Sequence, residues 1–164
     1  MKQVELVKTT KEDLDELHAM QVKAFMPLYE IYHDEMSPVN ESKDRILWKI
    51  TEENSHFYYI IFDGKKVGAV RAVRDRSLND DSVMWISPIF ILPEFQDLKI
   101  GAAAVERLFE MWDDKTTWKL STIKQEERNR HFYEKLGFEL LDWEEKINDK
   151  MDLVMYERKG KKEN

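Results

Sequence analysis

The most apolar stretch of the chain is VMWISPIFIL, residues 83–92, and a proline stands inside it. A run of this composition, ended by Pro93, is typical of a buried central strand. Pro88 removes one backbone N–H donor, so regular pairing cannot continue along both sides of this strand. We therefore expect a bulge, or a local separation of the strand from one neighbour, near Pro88.

The segments around this strand alternate between strand-like and helix-like patterns. Asp63-Gly64 lies between two β-rich runs, which is typical of a tight hairpin. Helical spacing ends at Pro27, and residues 28–37 predict an irregular or lid segment. The pattern predicts an α+β fold around one mixed sheet, in the order β-α-α-β-β-β-α-β-α-β-β. Predicted strands cover residues 2–8, 56–62, 65–74, 83–92, 116–123, 138–146 and 151–158, and predicted helices cover 10–26, 42–53, 99–112 and 127–136.

Length and composition fit one globular domain. A chain of 164 residues with 42% hydrophobic residues can bury one good core but not two. We expect a single domain over residues 1–158 and a charged, disordered tail at 159–164. The absence of cysteine excludes disulfides and thiolate chemistry and suits a reducing compartment. Without a signal-peptide pattern or an apolar run of about 18 residues, we expect a soluble cytoplasmic protein with no membrane partner.

Charge makes nucleic acid an unfavourable partner. The chain has 26 Lys+Arg against 33 Asp+Glu, a net charge of −7, and no basic stripe. An acidic surface suits a cationic amine, although it also serves solubility alone. The four histidines show no ligand spacing, so we expect no metal site.

A second constraint is the join between strand and helix, PEFQDLKIGAAAVERL at residues 93–108. The start of a helix carries unpaired N–H groups and the positive end of the helix dipole, so it attracts anions. Gly101 and Ala102 in the first turn would let a ligand approach those N–H groups. The same small residues equally suit tight packing of the helix on the sheet, and the sequence leaves both interpretations open.

Two motifs together resemble a known family. Gln96 and Ile100-Gly101 follow an apolar strand and a proline, and Asn129 precedes FYEKLGF at residues 132–138. This pattern resembles the GNAT family of acyl-CoA-dependent N-acetyltransferases, over nearly the whole chain. The resemblance implies the GNAT-like acyl-CoA N-acyltransferase fold, a central mixed sheet flanked by helices.

The resemblance implies acetyl-CoA as the acyl-donor cosubstrate. The loop from Gln96 to Ala102 would wrap its pyrophosphate, and the fourth strand would separate from the next to admit its pantetheine arm. Backbone groups of Phe90 and Ile91 would bind that arm, and Asn129 would hold the arm or a bridging water. The implied cofactor-binding residues are Phe90, Ile91, Gln96, Lys99, Ile100, Gly101, Ala102 and Asn129.

One position departs from the family pattern. Lys99 stands where the family most often has the first glycine of its phosphate loop. A lysine disfavours positive φ, although its ammonium can pair with phosphate oxygens. Asp97 adds negative charge beside the phosphates unless it caps the helix N–H groups. The departure motivates a second interpretation, a non-catalytic GNAT-like domain that binds acyl-CoA or a partner protein.

Tyr133 matches the tyrosine with which the family protonates the departing CoA thiolate. A phenol has a pKa near 10, so it is protonated at neutral pH and can donate to a thiolate. An aromatic residue on an amphipathic helix is equally suited to a packing role. By resemblance, the reaction is acetyl transfer to a primary amine by direct attack, with no covalent enzyme intermediate.

The acceptor side is less defined by the sequence. No residue stands out as the base, and the charged candidates lie in one segment: Glu30, His33, Asp34 and Glu35. By position we expect the acceptor to meet Tyr29, Tyr32, His33, Trp85 and Ser87, although these aromatics equally suit packing. The expected partner is a small-molecule or peptide amine, and the expected assembly is a monomer or homodimer.

Overall fold

One mixed sheet carries the fold, with its strands in the order β1-β2-β3-β4-β5-β7-β6. The structure is a computed structural model that describes residues 3–162, without the side chains of residues 97 and 98. Within that range the order of elements confirms the predicted α+β arrangement. The strands are β1 Val4–Lys8, β2 Ser55–Phe62, β3 Lys65–Arg74, β4 Val83–Ile91, β5 Thr117–Ile123, β6 Glu139–Lys146 and β7 Asp152–Arg158; the helices are α1 Leu14–Tyr32, α2 Lys43–Thr51, α3 Ile100–Met111 and α4 Glu127–Lys135.

The hairpin between β2 and β3 is the predicted one. Asp63 and Gly64 both have positive φ, 54° and 73°, which matches the twist of a two-residue hairpin turn. β1 and β4 add antiparallel strands on either side, and β4 pairs with β5 in parallel. The parallel pair is reached through α3, the usual crossover connection.

Both faces of the sheet are covered. On one face α3 packs with the sheet in a core that includes Leu108, Trp118 and Tyr156. On the other face α1 and α2 pack over β2 and β3, with Leu17 and Ile46 fully buried. Each such side chain stabilises the fold by about 1.5–3 kcal/mol through burial. The central strands β2 and β3 are therefore held from both sides.

Helix α1 continues through Pro27 and ends at Tyr32. The predicted irregular segment is therefore wrong for residues 28–32, and the chain leaves the helix only at His33, which has φ 52°. A proline inside a helix costs about 3 kcal/mol. Burial of Ala24 and Tyr32 on either side of the proline, and a hydrogen bond from the Tyr32 hydroxyl to Glu126 at 2.7 Å, oppose this cost.

Part of the predicted tail is bonded to the domain. The N–H of Gly160 donates to the Thr117 hydroxyl at 3.1 Å, and the N–H of Lys161 donates to the Asp114 carbonyl at 2.9 Å. A Cβ at position 160 would stand 2.0 Å from the Lys115 carbonyl oxygen, so glycine permits this approach. The predicted disorder does not extend to these two residues, and residues 163–164 lie outside the described range.

Candidate active site

The side of β4 that faces β5 is paired along only part of its length. Parallel pairing joins Val83–Trp85 to residues 117–119 and stops there. On its other side β4 stays paired with β3 as far as Ile91. Between the pairs Val70–Ile89 and Ala72–Ile86 the register shifts, because Ser87 and Pro88 stand opposite a single residue of β3. This confirms the predicted bulge and separation near Pro88.

A cleft of about 310 Å³ opens between the separated ends of β4 and β5. Residues 86–89 form one wall and residues 121–123 the other. The end of α1 and the turn after it cover one end of the cleft, and α4 contributes to its lining. Five of the sequence-predicted site residues meet here: Tyr29, Tyr32, Ser87, Asn129 and Tyr133.

The register decides which peptide groups of β4 face the cleft. The N–H of Leu92 donates to the Val67 carbonyl at 2.8 Å, so Leu92 is hydrogen-bonded towards β3. Alternate residues share a direction in a strand, so the peptide groups of Phe90 also face β3. Those of Ile89 and Ile91 point to the opposite side, where Ile89 lines the cleft. The peptide groups of Phe90 thus face away from the cleft and those of Ile89 towards it, as strand alternation predicts once the register is known.

The Gln96 side chain is hydrogen-bonded to the end of β4. Its side-chain Nε2 donates to the Ile91 carbonyl at 3.0 Å. The carbonyl of Ile91 therefore already accepts a hydrogen bond from Gln96. The N–H groups of Ile89 and Ile91 point away from β3, because of the strand register. The amide groups of this strand edge are donors that an extended ligand can bind.

The start of α3 lies beside the same strand end. The first N–H bonded within the helix is that of Ala103, to the Lys99 carbonyl at 3.3 Å. The N–H groups of Ile100, Gly101 and Ala102 precede it, and the Lys99 side chain does not cap them. The Ile100 side chain is buried in the core and fixes the direction of the helix. Because the N–H groups and dipole at a helix start attract anions, this start is a candidate anion site.

Gly101 is explained by packing. A Cβ at this position would lie 3.2 Å from Cε1 and Cζ of Phe132 and 3.7 Å from Cγ1 of Ile91. The open side of the glycine therefore faces α4, which brings that helix close to the candidate anion site. Of the two interpretations left open by the sequence, the structure supports the packing one for this side of the residue.

Lys99 has φ 59° and ψ 19°, the left-handed conformation that glycine adopts easily. A side chain with a Cβ costs about 1–2 kcal/mol there. The backbone at Lys99 thus adopts a conformation that glycine favours, and an exposed lysine side chain stands beside the helix start. The predicted capping by Asp97 falls on a side chain outside the described part.

Tyr133 lines the cleft from α4, with its ring held edge-on by two phenylalanines. The ring centroids lie 5.1 Å from Phe132 and 6.0 Å from Phe138. Burial raises the pKa of Tyr133 to about 12. The hydroxyl is therefore protonated throughout the neutral range and can donate a hydrogen bond into the cleft.

The motif around Tyr133 also builds the local fold. Gly137 has φ 93° and ends α4, which lets the N–H of Phe138 donate to the Tyr133 carbonyl at 3.1 Å. Phe138 is then buried in the core, while Phe132 packs on Gly101. The aromatic residues that flank Tyr133 fix its position.

The end of α1 is fastened over the cleft by two hydrogen bonds. The Tyr32 hydroxyl donates to Glu126, and Asn148 Nδ2 donates to the Tyr32 carbonyl at 2.9 Å. Burial, and then Glu126, raise the pKa of Tyr32 to about 12. His33 packs edge-on against the Tyr29 ring, at 5.8 Å between centroids, and stays exposed outside the cleft.

Comparison with known families gives a match over most of the chain. A sequence model of the acetyltransferase (GNAT) family matches residues 21–138. The chain belongs to this acetyltransferase (GNAT) family. It is therefore classed as an acyltransferase. A search among curated protein sequences gives no match.

Solved structures agree with the GNAT assignment at the level of the fold. The PaiA N-acetyltransferase of Thermoplasma acidophilum, in complex with coenzyme A, is 20% identical with a TM-score of 0.74, covering 96% of this chain and 99% of that one. The ribosomal-protein-S18-alanine N-acetyltransferase of Escherichia coli is 15% identical with a TM-score of 0.74, covering 100% and 97%. A spermidine N-acetyltransferase SpeG chimera from Vibrio cholerae and hSSAT is 17% identical with a TM-score of 0.71, covering 96% and 95%.

Trp85 does not line the cleft of this GNAT domain. At this residue β4 is still paired with β5, through Lys119. Its indole Nε1 donates to Asp75 at 2.8 Å, on the side away from the bulge. Among the charged residues that the sequence left as candidate bases, Asp34 lines the cleft, and Glu30, His33 and Glu35 do not.

Arg71 was not singled out from the sequence, yet it supports the cleft wall. It stands on β3 opposite the bulge and is 5% exposed. Its Nη1 donates to the Ser87 carbonyl at 2.9 Å, and its Nε donates to the Ser55 hydroxyl at 2.6 Å. Burial lowers the pKa of Arg71 to about 10, so it remains charged at neutral pH. Its charge inside the otherwise apolar run of β3 could have marked Arg71 in the sequence as a residue with a buried polar role.

The described residues 3–162 lack two features, a cluster of metal ligands and a membrane-spanning helix. Within them, the His, Asp and Glu side chains do not converge into a group of three that would hold a metal ion. In the same range, no helix has the length and apolarity to cross a bilayer.

Proposed function

We propose that this GNAT domain transfers the acetyl group of acetyl-CoA to a primary amine by direct attack, without a covalent enzyme intermediate. One observation carries the proposal: β4 and β5 separate beside the candidate anion site at the start of α3, and Tyr133 lines the opening. Family membership supports acetyl transfer, and the coenzyme A complex of the PaiA N-acetyltransferase supports the cosubstrate.

The residues present fit the elongated shape of acetyl-CoA. The N–H groups of residues 100–102 suit its pyrophosphate. The N–H groups of Ile89 and Ile91, which point away from β3, suit the amides of its pantetheine arm, as when a peptide joins a strand edge. One of these N–H groups would also polarise the thioester carbonyl and stabilise the negative charge that develops on its oxygen. Asn129, in the cleft lining, would hold the arm or a bridging water.

In the reaction, the amine nitrogen attacks the thioester carbon and the carbon–sulfur bond breaks. Because a primary amine is an ammonium ion at neutral pH, it first loses one proton to a base or to water at the acceptor end, which frees the nitrogen lone pair. A second proton leaves the nitrogen as the amide forms, and CoA departs as the thiolate. Because burial raises the pKa of Tyr133 to about 12, its hydroxyl is a weaker acid than a thiol, for which pKa is about 8.5. Tyr133 therefore acts chiefly by donating a hydrogen bond to the departing sulfur, and full proton transfer is unfavourable.

The test is the rate of CoA release from acetyl-CoA with a panel of amines. Tyr133→Phe should lower kcat by about 10²–10³-fold, the usual cost of one lost donor to a developing charge. Calorimetry should give an unchanged dissociation constant for acetyl-CoA. Tyr58→Phe, the same change at a buried tyrosine of the sheet core, is the matched control.

Two outcomes would count against the proposal. If Tyr133→Phe is as fast as the parent, Tyr133 has no role in the chemistry. If the protein binds acetyl-CoA but turns over no amine, the acyl-CoA-binding interpretation raised by Lys99 gains support.

The acceptor is proposed to be a small-molecule or peptide amine. The structurally similar proteins include acetyltransferases of a protein alanine and of spermidine, so both kinds of acceptor occur among them. The proposed setting is the cytoplasm, and the proposed assembly is a monomer or homodimer. In support of a dimer, edge strand β6 exposes Leu140 and Trp143.

A further inference from the structure

We propose that the acceptor is a primary monoamine with an apolar carbon skeleton, and that Asp34 binds its ammonium group. The inference rests on the proposed function, because it names the acceptor class for the same cleft. Asp34 would act as a specificity-determining residue at the mouth of this cleft.

The charge of the cleft lining is the first argument. Among the described residues that line the cleft, Asp34 is the one side chain with a charge at neutral pH. The rest of the lining is apolar, aromatic, hydroxyl-bearing or, at Asn129, an amide. A single carboxylate in such surroundings attracts one cation, and it repels an acceptor that carries a carboxylate.

The position of Asp34 is the second argument. Left-handed His33 ends α1, and the chain then turns over the cleft, with the N–H of Ser37 donating to the Asp34 carbonyl at 3.0 Å. The Asp34 carboxylate accepts one hydrogen bond, from the N–H of Met36 at 2.9 Å, which holds its orientation. Within residues 3–162 this carboxylate has no ion-pair partner, so its charge is available to a ligand.

The apolar surfaces beside Asp34 are the third argument. Phe25, Leu28 and Tyr29 of α1 line the cleft, and so does Met36 of the turn. Met36 is 88% exposed, more than any other large apolar side chain among the described residues. An apolar ligand body would cover it. A second ammonium or a carboxylate on the acceptor would instead lie against these surfaces without a partner, which is unfavourable.

The size of the cleft limits the skeleton. Its volume of about 310 Å³ must also hold the acyl end of the donor. A short alkyl chain or one aromatic ring fits this space beside the thioester. Arylalkylamines and alkylamines therefore meet all three conditions of charge, apolarity and size.

Two matched pairs of amines test the class directly. Phenethylamine and phenylalanine differ by one carboxylate, and hexylamine and hexamethylenediamine differ by a second ammonium. We expect kcat/KM to be at least about 10-fold higher for the monoamine of each pair, because the extra charge is desolvated without a partner. Equal or inverted preference in both pairs would overturn the inference while leaving acetyl transfer intact.

Two variants test the residue. Asp34→Asn should raise KM for phenethylamine roughly 10- to 100-fold, the usual cost of losing a hydrogen bond between charged groups, and Asp34→Glu should restore part of it. Glu35→Gln removes the same charge from the neighbouring exposed residue and should change KM little. Unchanged affinity for acetyl-CoA serves as the control for folding, and an unaltered KM in Asp34→Asn would overturn the assignment.

Failure of the proposed function has a different signature. Calorimetric titration of phenethylamine into the CoA-saturated protein measures amine binding without turnover. Binding that Asp34→Asn abolishes, together with no turnover, would support the inference and overturn acetyl transfer. Absence of binding and turnover for the monoamines, with turnover of another amine in the panel, would overturn the inference alone, and absence of turnover with every amine in the panel would also overturn acetyl transfer.

Discussion

The two ends of the cleft are built from different parts of the chain. At the start of α3 the available groups are backbone N–H groups, those of residues 100–102 and of Ile89 and Ile91. At the end of α1 they are side chains, with Asp34 and Met36 on the turn. A backbone site survives a change of side chain if the path of the chain is kept, as Lys99 illustrates. A site made of side chains changes its ligand with each substitution.

The end of the cleft at the start of α3, with the N–H groups of residues 100–102, is the backbone-built end. Inserting a side chain there should have the largest effect. Gly101→Glu should raise the dissociation constant for acetyl-CoA by at least about 100-fold, because its side chain displaces the Phe132 ring packed on this turn and adds a negative charge beside the helix start. Gly101→Ala is the control, because its Cβ moves the Phe132 ring by only a few tenths of an ångström. Calorimetry compares the two, with circular dichroism as a check on folding. Parent-like affinity in Gly101→Glu would exclude this helix start as the phosphate site.

A second change acts on the wall nearer the acceptor. Arg71→Met leaves the Ser87 carbonyl and the Ser55 hydroxyl without their buried donor, so the free energy of unfolding should fall by about 2–3 kcal/mol. Urea unfolding measures the loss. KM for the amine should rise more than the dissociation constant for acetyl-CoA, because the altered wall carries Ser87. An equal rise in KM for the amine and in the dissociation constant for acetyl-CoA would mean that the bulge positions both substrates.

The free energy of unfolding at alkaline pH tests the raised pKa values of two tyrosines of the cleft, one near each end. The pKa of Tyr32 and of Tyr133 is about 12, above the ordinary value of 10. Between pH 10 and 12 the unfolded chain loses these protons first, so the free energy of unfolding falls as pH rises, by up to about 1.4 kcal/mol per pH unit for each tyrosine. Urea unfolding at pH 9 to 11 should give a smaller slope in Tyr32→Phe or Tyr133→Phe. An identical slope would contradict the raised pKa values.

The smallest expected effect is on the free energy of unfolding when the Lys99 side chain is removed. Lys99→Gly removes the strain of the left-handed conformation, and the gain of about 1–2 kcal/mol is partly offset by the freedom of glycine in the unfolded chain. We expect a net stabilisation of about 0.5–1 kcal/mol in urea unfolding. Lys99→Ala keeps the strain and should not stabilise. A stabilisation equal in both variants would assign the effect to charge.

The sequence located the backbone-built end better than the other. Pro88 predicted the bulge and separation of β4, and the family resemblance carried by Gln96, Gly101, Asn129 and Tyr133 implied which elements meet there. Such features depend on local spacing, which a sequence displays directly. To find that the peptide groups of Ile89, and not those of Phe90, point away from β3, the strand register was needed. That register is fixed by pairing with distant residues.

The side-chain end depended on the path of the chain in space. Pro27 suggested an early end to α1, but tertiary contacts of Tyr32 extend the helix, and that extension decides where Asp34 lies. Trp85 and Ser87 are two residues apart on one strand, yet only Ser87 reaches the cleft, because pairing with β5 ends between them. Arg71 forms its contacts across strands that are far apart in sequence.

The two hydrogen bonds at Tyr32 join segments that are 94 and 116 residues apart along the chain. During synthesis on the ribosome, the chain emerges from its amino terminus, so Glu126 and Asn148 become available long after α1 has left the exit tunnel. The acceptor end is therefore among the last parts of the domain to be completed. A nascent chain that stops before residue 148 lacks Asn148 and also β7, which lies between β5 and β6, so α1 cannot yet be fastened over the cleft.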